Sequence, residues 1–294
     1  MMHKKINASR VVFNIFNYTF FILLILLCLY PLWYIFILSI SGVEDVTIIP
    51  RGLTLNNFIQ VFHIKGIYHA FLISVLRTVI GTVCTVMSCT LLGYLFSKRE
   101  MPHRSFFYRM FIVTMYVTGG LIPTYLVMNA YGLLNTFAVY ILPNIISPYY
   151  IMLIKTYVEQ LPPALEESAR IDGASTLVVF FRIIVPLSVP IVATISVYSA
   201  VFQWNSWFDN HIYTFNREGL TTIQYMLYTY LQRVEVLIQQ LEEAPSAGLS
   251  TVNVLTPKAV RMTVTMITVL PILFVYPFMQ RYFVKGIMLG AVKG

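Results

Sequence analysis

Apolar residues run through this chain in long blocks, separated by short polar segments that collect most of its charge. A hydrocarbon layer about 30 Å thick is crossed by roughly 20 residues at about 1.5 Å each. Six blocks reach that length, at approximately 11–40, 68–96, 105–129, 137–157, 184–207 and 260–283. The pattern predicts an all-α, polytopic membrane protein of about six transmembrane helices. A different period stands between Leu220 and Ala244, where Ile223, Leu227, Tyr230, Val234, Leu237 and Leu241 recur at 4-3-4-3-4 spacing. One apolar stripe of that kind predicts an amphipathic helix. Its stripe can pack on the bundle or lie at the interface, and Glu235, Glu242 and Glu243 on its other side can instead meet a partner.

Composition removes the soluble alternative. Of 294 residues 58% are hydrophobic and 11% charged, with mean hydropathy +0.74, whereas soluble domains carry about 25% charged residues. Lys4, Lys5 and Arg10 resemble the basic head of a signal peptide. The apolar run behind them is too long for one and no small-x-small cleavage site follows, so an uncleaved anchor is expected. With the N-terminus inside, thirteen of the twenty Lys and Arg fall on the cytoplasmic side, where the net charge is +8 against −2 outside. The pI near 9.3 is then a topology signal and no sign of nucleic acid. The expected organisation is a cytoplasmic N-terminus (1–10), a six-helix transmembrane domain (11–284) with a cytoplasmic loop at 159–183 and an outer helical loop at 208–259, and a cytoplasmic tail (285–294). Cys28, Cys84 and Cys89 lie in apolar runs without ligand spacing and the five histidines are scattered, so neither a disulfide framework nor a metal site is expected.

Eight prolines fall inside the blocks: Pro31, Pro123, Pro143, Pro148, Pro186, Pro190, Pro271 and Pro277. Each interrupts a helical hydrogen bond that protein or water must replace inside a bilayer. Together they favour bent helices around a pathway.

The segment 159–183 is the least membrane-like internal stretch on the basic side. Pro162 and Pro163 can open a helix, and Glu166 and Glu167 suit the positive end of its dipole. Asp172-Gly173 supplies a turn, after which a short helix presents Val178, Phe181 and Ile184 or Val185 on one side. The expectation is a helix–turn–helix elbow whose small residues Ser168, Ala169 and Ala174 let another surface approach, beside an acidic pair and an apolar anchor. Pattern alone favours an amphipathic connector on the inner leaflet.

Resemblance separates the two. Glu167-Ser-Ala-x-x-Asp-Gly-Ala, followed by Phe180-x-x-Ile-x-x-Pro-Leu-Ser-x-Pro190, resembles the loop that marks the membrane subunits of ATP-binding-cassette importers, with Ser168 in place of the commoner alanine. In that family the loop forms a coupling helix that sits in a cleft of the ATPase. Gln203-Trp-Asn-Ser-Trp207, Pro271-Ile-Leu-Phe-Val-Tyr-Pro277 and the run from Gln280 to Gly294 extend the resemblance to carbohydrate-uptake permeases similar to the smaller permease of the maltose importer. The Leu255-Thr-Pro-Lys-Ala-Val-Arg261 stretch is similar to the branch for complex oligosaccharides, including acidic uronate-containing ones. The resemblance implies ATPase coupling through Glu166, Glu167, Ser168, Ala169, Asp172, Gly173 and Ala174. It implies a second related permease, two ATPase subunits, an extracytoplasmic solute-binding protein, an oligosaccharide substrate, and a place in the bacterial cytoplasmic membrane with both termini inside. No Gly-x-x-x-x-Gly-Lys-Ser/Thr loop occurs, so ATP and Mg are expected on the partner ATPase subunits, with no cofactor in this chain.

The polar and aromatic residues inside spans are the pathway candidates: Asn144, Tyr149, Tyr150, Gln203, Trp204, Asn205 and Trp207. Rings stack on sugar faces and amides match hydroxyls, although Trp and Tyr at span ends also form the interfacial belt. Tyr150, Asn144 and Asn205 are selected. Arg77, about nine residues into the second block, needs an internal partner or a watery cavity. With Arg261 it can meet a uronate carboxylate, or it can pair with Asp209 or another subunit. The rival class, a secondary transporter or channel working without an ATPase, usually carries acidic coupling residues mid-span; here every Asp and Glu maps to a loop or a span end.

Overall fold

Residues 8–42, 49, 52–215, 217–243 and 261–277 are described in the computed structural model. The N-terminal residues 1–7, the loop acids Glu44 and Asp45, the outer-loop residues 244–259, the end of the sixth block, the 285–294 tail and the side chains of Glu235, Glu242 and Glu243 lie outside the described residues. The described elements are helical, apart from one isolated bridge between Ser41 and Leu53. They group into two compact units, one within Met1–Lys65 and Tyr230–Val269, the other within Gly66–Thr229 and Leu270–Gly294.

In the first unit, α1 (Ala8–Ser39) carries Pro31 without ending there. Its apolar side chains stand exposed from Val11 to Trp33, and only its end is packed, where Ile37 and Leu38 meet Tyr34 and Met262. That end is closed by Asn57 on α2 (Asn56–Phe62), whose Nδ2 donates to the Ser39 and Ser41 carbonyls at 3.1 and 2.9 Å. Carbonyls left over at a helix C-terminus need such donors.

The second unit is built around α3 (Ile67–Ser97), against which α6 (Pro148–Val158) and α10 (Val189–Asn205) pack. Lipid gives no hydrophobic drive between helices, so close approach and hydrogen bonds must hold them. Gly93 permits that approach: a Cβ there would stand 2.7 Å from Ile154 Cγ2 and 3.1 Å from the Ile151 carbonyl. Around the contact, Cys89, Tyr94, Phe96, Ile151, Ile154, Phe180 and Ile195 form a buried cluster.

The apolar blocks locate the helices but not their continuity. Among the described residues, only α1 and α3 are single helices long and apolar enough to cross a membrane, and two bent pairs pass the same test jointly. The third block is split into α4 (Arg104–Tyr116) and α5 (Leu121–Ala130), with Gly120 at φ 82° in the break. In the fourth, two 3₁₀ turns at Phe137–Tyr140 and Leu142–Asn144 precede α6 and the pair bends by 49°. Backbone freed there is satisfied by α3: Thr85 Oγ1 donates to the Asn144 carbonyl at 3.1 Å, and the Ser147 N–H donates to Cys89 Sγ at 3.3 Å. Irregular backbone at such depth survives only where protein supplies partners. The long helix of the fifth block, α10, begins at Val189, five residues later than the block's apolar run. It follows α7 (Ala164–Ile171), α8 (Thr176–Val179), a π-turn at Phe180–Ile184 and α9 (Val185–Leu187), with an 81° bend between Pro186 and Pro190. Tyr157 hydroxyl donates to the Leu187 carbonyl at this bend, at 3.2 Å. The period-4-3 stripe is helical as expected, as α12 (Ile223–Glu243), preceded by α11 (Phe208–Tyr213). A further helix, α13 (Arg261–Pro277), contains Pro271.

Candidate functional site

The elbow is closed by its own backbone. Gly173 takes φ 81°; its N–H donates to the Arg170 carbonyl at 3.0 Å and the Ala174 N–H to the Ala169 carbonyl at 2.9 Å. These two bonds make a Schellman end for α7, with glycine at the left-handed position. Ser175 then caps α8, its Oγ accepting from the Val178 N–H at 3.5 Å. Ala169 and Ala174 turn toward the buried cluster, so the small residues of the bend let the elbow sit close on its own chain. Ser168, Glu167, Asp172 and Gly173 are exposed.

Ion pairs hold the elbow to the end of α3. Glu166 pairs with Lys98, whose Nζ also lies 4.4 Å from the centre of the Tyr94 ring. Arg170 pairs with Glu100 at 2.8 Å, and the guanidinium holds that carboxyl below its ordinary range. A third knot joins Glu159 to Arg104 and, at 2.8 Å, to Lys155. Glu166 and Glu167, adjacent and alike in sequence, thus part company: one braces the elbow and the other faces outward. The uncovered apolar side consists of Ile171 (85% exposed), Leu177 (60%), Val178 and Phe181 (52%). Val178 and Phe181 lie where the pattern places them, while Ile184 is buried. The π-turn takes an extra residue per turn and rotates Ile184 inward.

At the other end of α3 a cavity of about 620 Å³ is lined by Asn144, Phe202, Asn205, Ser206, Trp207, Asp209 and Tyr213, among others. A second of about 280 Å³ is lined by Thr85, Asn144, Tyr150, Ser199, Phe202 and Gln203. Asn144 and Phe202 border both. Of the selected pathway residues, Asn144, Asn205 and Tyr150 therefore border cavities and Arg77 borders neither. Arg77 is fully buried behind them: Nε donates to Gln203 Oε1 at 3.0 Å, Nη1 to Asp209 Oδ1 at 2.9 Å and to the Ser206 carbonyl at 3.2 Å, and Nη2 to Asp209 Oδ2. Its guanidinium carbon stands 4.6 Å over the Tyr140 ring. Because Arg can only donate, this contact also fixes the Gln203 amide, with Oε1 toward Arg77. Arg261 is exposed at the start of α13.

Several residues that shape this wall carry no signal of their own in the sequence. Tyr140 hydroxyl joins Thr214 Oγ1 and the Leu220 carbonyl, each at 2.7 Å, and Asn210 bonds Thr214 and the Thr222 N–H, also at 2.7 Å. This buried network seats α11 beneath the start of α12. Trp207, set aside on pattern as a belt candidate, stacks on Tyr228 with centroids 4.1 Å apart.

Comparison with known proteins supplies the family. A family model for the inner membrane component of binding-protein-dependent transport systems matches residues 89–289. The polygalacturonan/rhamnogalacturonan transport system permease protein YtcP of Bacillus subtilis is 33% identical over 287 residues, spanning 96% of this chain and 98% of that protein. Protein LplC of the same organism is 36% identical over 248 residues, 84% and 81% of the two chains. A solved bacterial ABC transporter involved in the import of the acidic polysaccharide alginate superposes with TM-score 0.84 at 26% identity, covering 96% of this chain and 100% of the matched one. With a family match over most of its length and relatives aligned nearly end to end, the chain belongs to the inner membrane components of binding-protein-dependent transport systems, the permease subunits of ABC importers.

Proposed function

We propose that this permease carries oligosaccharides, acidic uronate-containing ones among them, inward across the bacterial cytoplasmic membrane. It forms the pathway with a second, related permease, receives sugar from an extracytoplasmic binding protein, and is driven by two separate ATPase subunits that bind ATP and Mg. Both termini and the 159–183 elbow lie on the cytoplasmic side, and the 208–259 loop lies outside. The cargo named for the relatives, polygalacturonan/rhamnogalacturonan and the acidic polysaccharide alginate, supports the substrate class.

One observation carries the coupling reading: the uncovered side of the elbow is apolar, at Ile171, Leu177 and Phe181, while its covered side is braced by Lys98–Glu166 and Arg170–Glu100. An exposed apolar patch on a braced, water-facing element is a docking surface. The elbow seats in the ATPase, and closure of the ATPase dimer on ATP moves the helices to which the elbow is tied. Phe181→Asp and Ile171→Asp in the full complex test this. Loss of ATPase co-purification, or retention of the complex with loss of binding-protein-stimulated hydrolysis, is expected. Wild-type association and stimulation in both variants, or sugar uptake by the permeases without any ATPase, would overturn it.

A further inference from the structure

The larger cavity is bounded by aromatic carbon and neutral amides, and its charge is already spoken for. Phe202, Trp207 and Tyr213 supply ring surface, and Asn144 and Asn205 supply side chains that both donate and accept. Among the described residues Asp209 is the one lining residue with a formal charge, and both of its carboxylate oxygens accept from Arg77. Arg77 itself is fully buried and borders neither cavity. Among the described residues the wall therefore offers no open cation, and a carboxylate brought against it meets Asp209 before it meets Arg77.

Trp207 has the support that a stacking face needs. Tyr228 lies on one side of the indole, nearly parallel at 19° and 4.1 Å between centroids, and Phe208 meets it edge-on at 90°. The ring is held in place while still bordering the cavity. A rigid aromatic surface beside paired donor–acceptor amides suits the apolar face and the hydroxyl edge of a pyranose. At about 620 Å³ the space lies within the range of small-molecule sites, roughly 300–1,000 Å³.

We propose that this cavity is a sugar-ring subsite in which Trp207 stacks on the ring and Asn144 and Asn205 read its hydroxyls, so that this chain grips the uncharged face of the substrate and leaves any uronate carboxylate to be met elsewhere in the complex. The inference rests on the reading of the chain as an oligosaccharide permease and deepens it by assigning the site and the part of the sugar recognised.

The test uses the complete importer in proteoliposomes with its binding protein, and two probes: trigalacturonate and a neutral arabinotriose. Trp207→Ala raises KM for every probe the wild type transports by about tenfold per assembled complex, and Trp207→Phe restores most of the loss. Asn205 is exposed, with a single long contact of 3.4 Å to Gln224, so Asn205→Asp adds a carboxylate to the wall with little structural cost. It is expected to change trigalacturonate and arabinotriose uptake by the same factor. An unchanged KM in Trp207→Ala would overturn the stacking role, as would a loss confined to complex yield. A loss of trigalacturonate uptake in Asn205→Asp tenfold greater than that of arabinotriose would place a carboxylate at this wall and overturn the uncharged-face assignment. Wild-type complex transporting neither these probes nor any other oligosaccharide would instead refute the sugar reading itself, a result separable from both.

Discussion

Replacing Asp209 with Asn keeps the shape of the side chain and removes the charge at which both terminal nitrogens of Arg77 are aimed. Arg77 is fully buried, whereas the Asp209 side chain keeps 16% of its surface. Removing one member of a buried ion pair generally costs about 3–5 kcal/mol, because the other charge is left without compensation. Two features pull the value here to the lower end. The Asp209 side is partly open, and Arg77 retains the Gln203 and Ser206 oxygens and the Tyr140 ring. The expected loss is about 3 kcal/mol, a little over a hundredfold in the folding equilibrium. Arg77→Gln leaves its uncompensated charge on the partly open partner and costs less, about 2 kcal/mol. In Arg77→Gln/Asp209→Asn two amides face each other with no charge, so the double variant is expected to fall short of the summed single losses by about 2 kcal/mol. SDS-induced unfolding of the purified complex for the wild type, both single variants and the double variant yields that coupling directly. Additive single losses, or wild-type stability in Asp209→Asn, would refute the argument that the pair is an energetic unit.

Other expectations follow from the packing and from the elbow. Gly93→Ala drives a methyl group into Ile154 and the Ile151 carbonyl, costing about 1–3 kcal/mol; Ile154→Val in the same chain recovers part of it, read as the thermal midpoint of the complex in detergent. Gly173→Ala meets no neighbour but is strained at φ 81°, by about 1 kcal/mol, so binding-protein-stimulated ATP hydrolysis falls while the yield of the complex holds; Gly173→Asn, which tolerates that backbone better, falls less. Arg170 lowers the pKa of Glu100, so the pair's contribution is complete above the usual carboxylate value of about 4.3 and vanishes only as pH falls through the lowered folded value. Stimulated hydrolysis in Glu100→Gln is therefore reduced relative to wild type by a constant factor between about pH 6 and 8; a ratio that drifts across that range would count against the assignment.

Much of the architecture is written in the apolar blocks, because a run of 30 apolar residues has few other places to go. The ends of α1 and α3 fall within a residue or so of their blocks except at the first N-terminus, and the stripe from Ile223 foretells α12. Hydropathy does not register where a helix stops within apolar surroundings. Gly119-Gly120 sits in the middle of the third block, and Phe137 to Asn144 is as apolar as the helix after it; only the partners that α3 supplies at Thr85 and Cys89 explain why the latter stays irregular. Chemistry at the sites divides the same way. Residue type points to Asn144, Tyr150 and Asn205, each of which borders a cavity. What pattern cannot resolve is which of two like neighbours faces inward: Glu166 differs from Glu167 through Lys98, 68 positions away, and Gln203 differs from Asn205 through Arg77, 126 positions away. Trp207 has the composition of a belt residue, and its standing changes only with Tyr228 beneath it.

The unbroken course of α3 has a mechanical meaning. Arg77 stands one-third of the way along it, and Lys98 follows directly after its last residue, so the brace on the elbow and the back of the cavity wall belong to one rod. Their separation is about 32 Å at about 1.5 Å per residue. A rigid rod of that length tilted by about 2° carries its far end about 1 Å sideways, comparable to the difference between a made and a lost hydrogen bond at Gln203. The neighbouring spans, each interrupted by glycine, proline or a 3₁₀ turn, can yield around it. Displacement applied at Lys98 would then arrive at Arg77 with little lost to bending, which makes α3 the lever arm of the subunit and the broken helices its joints.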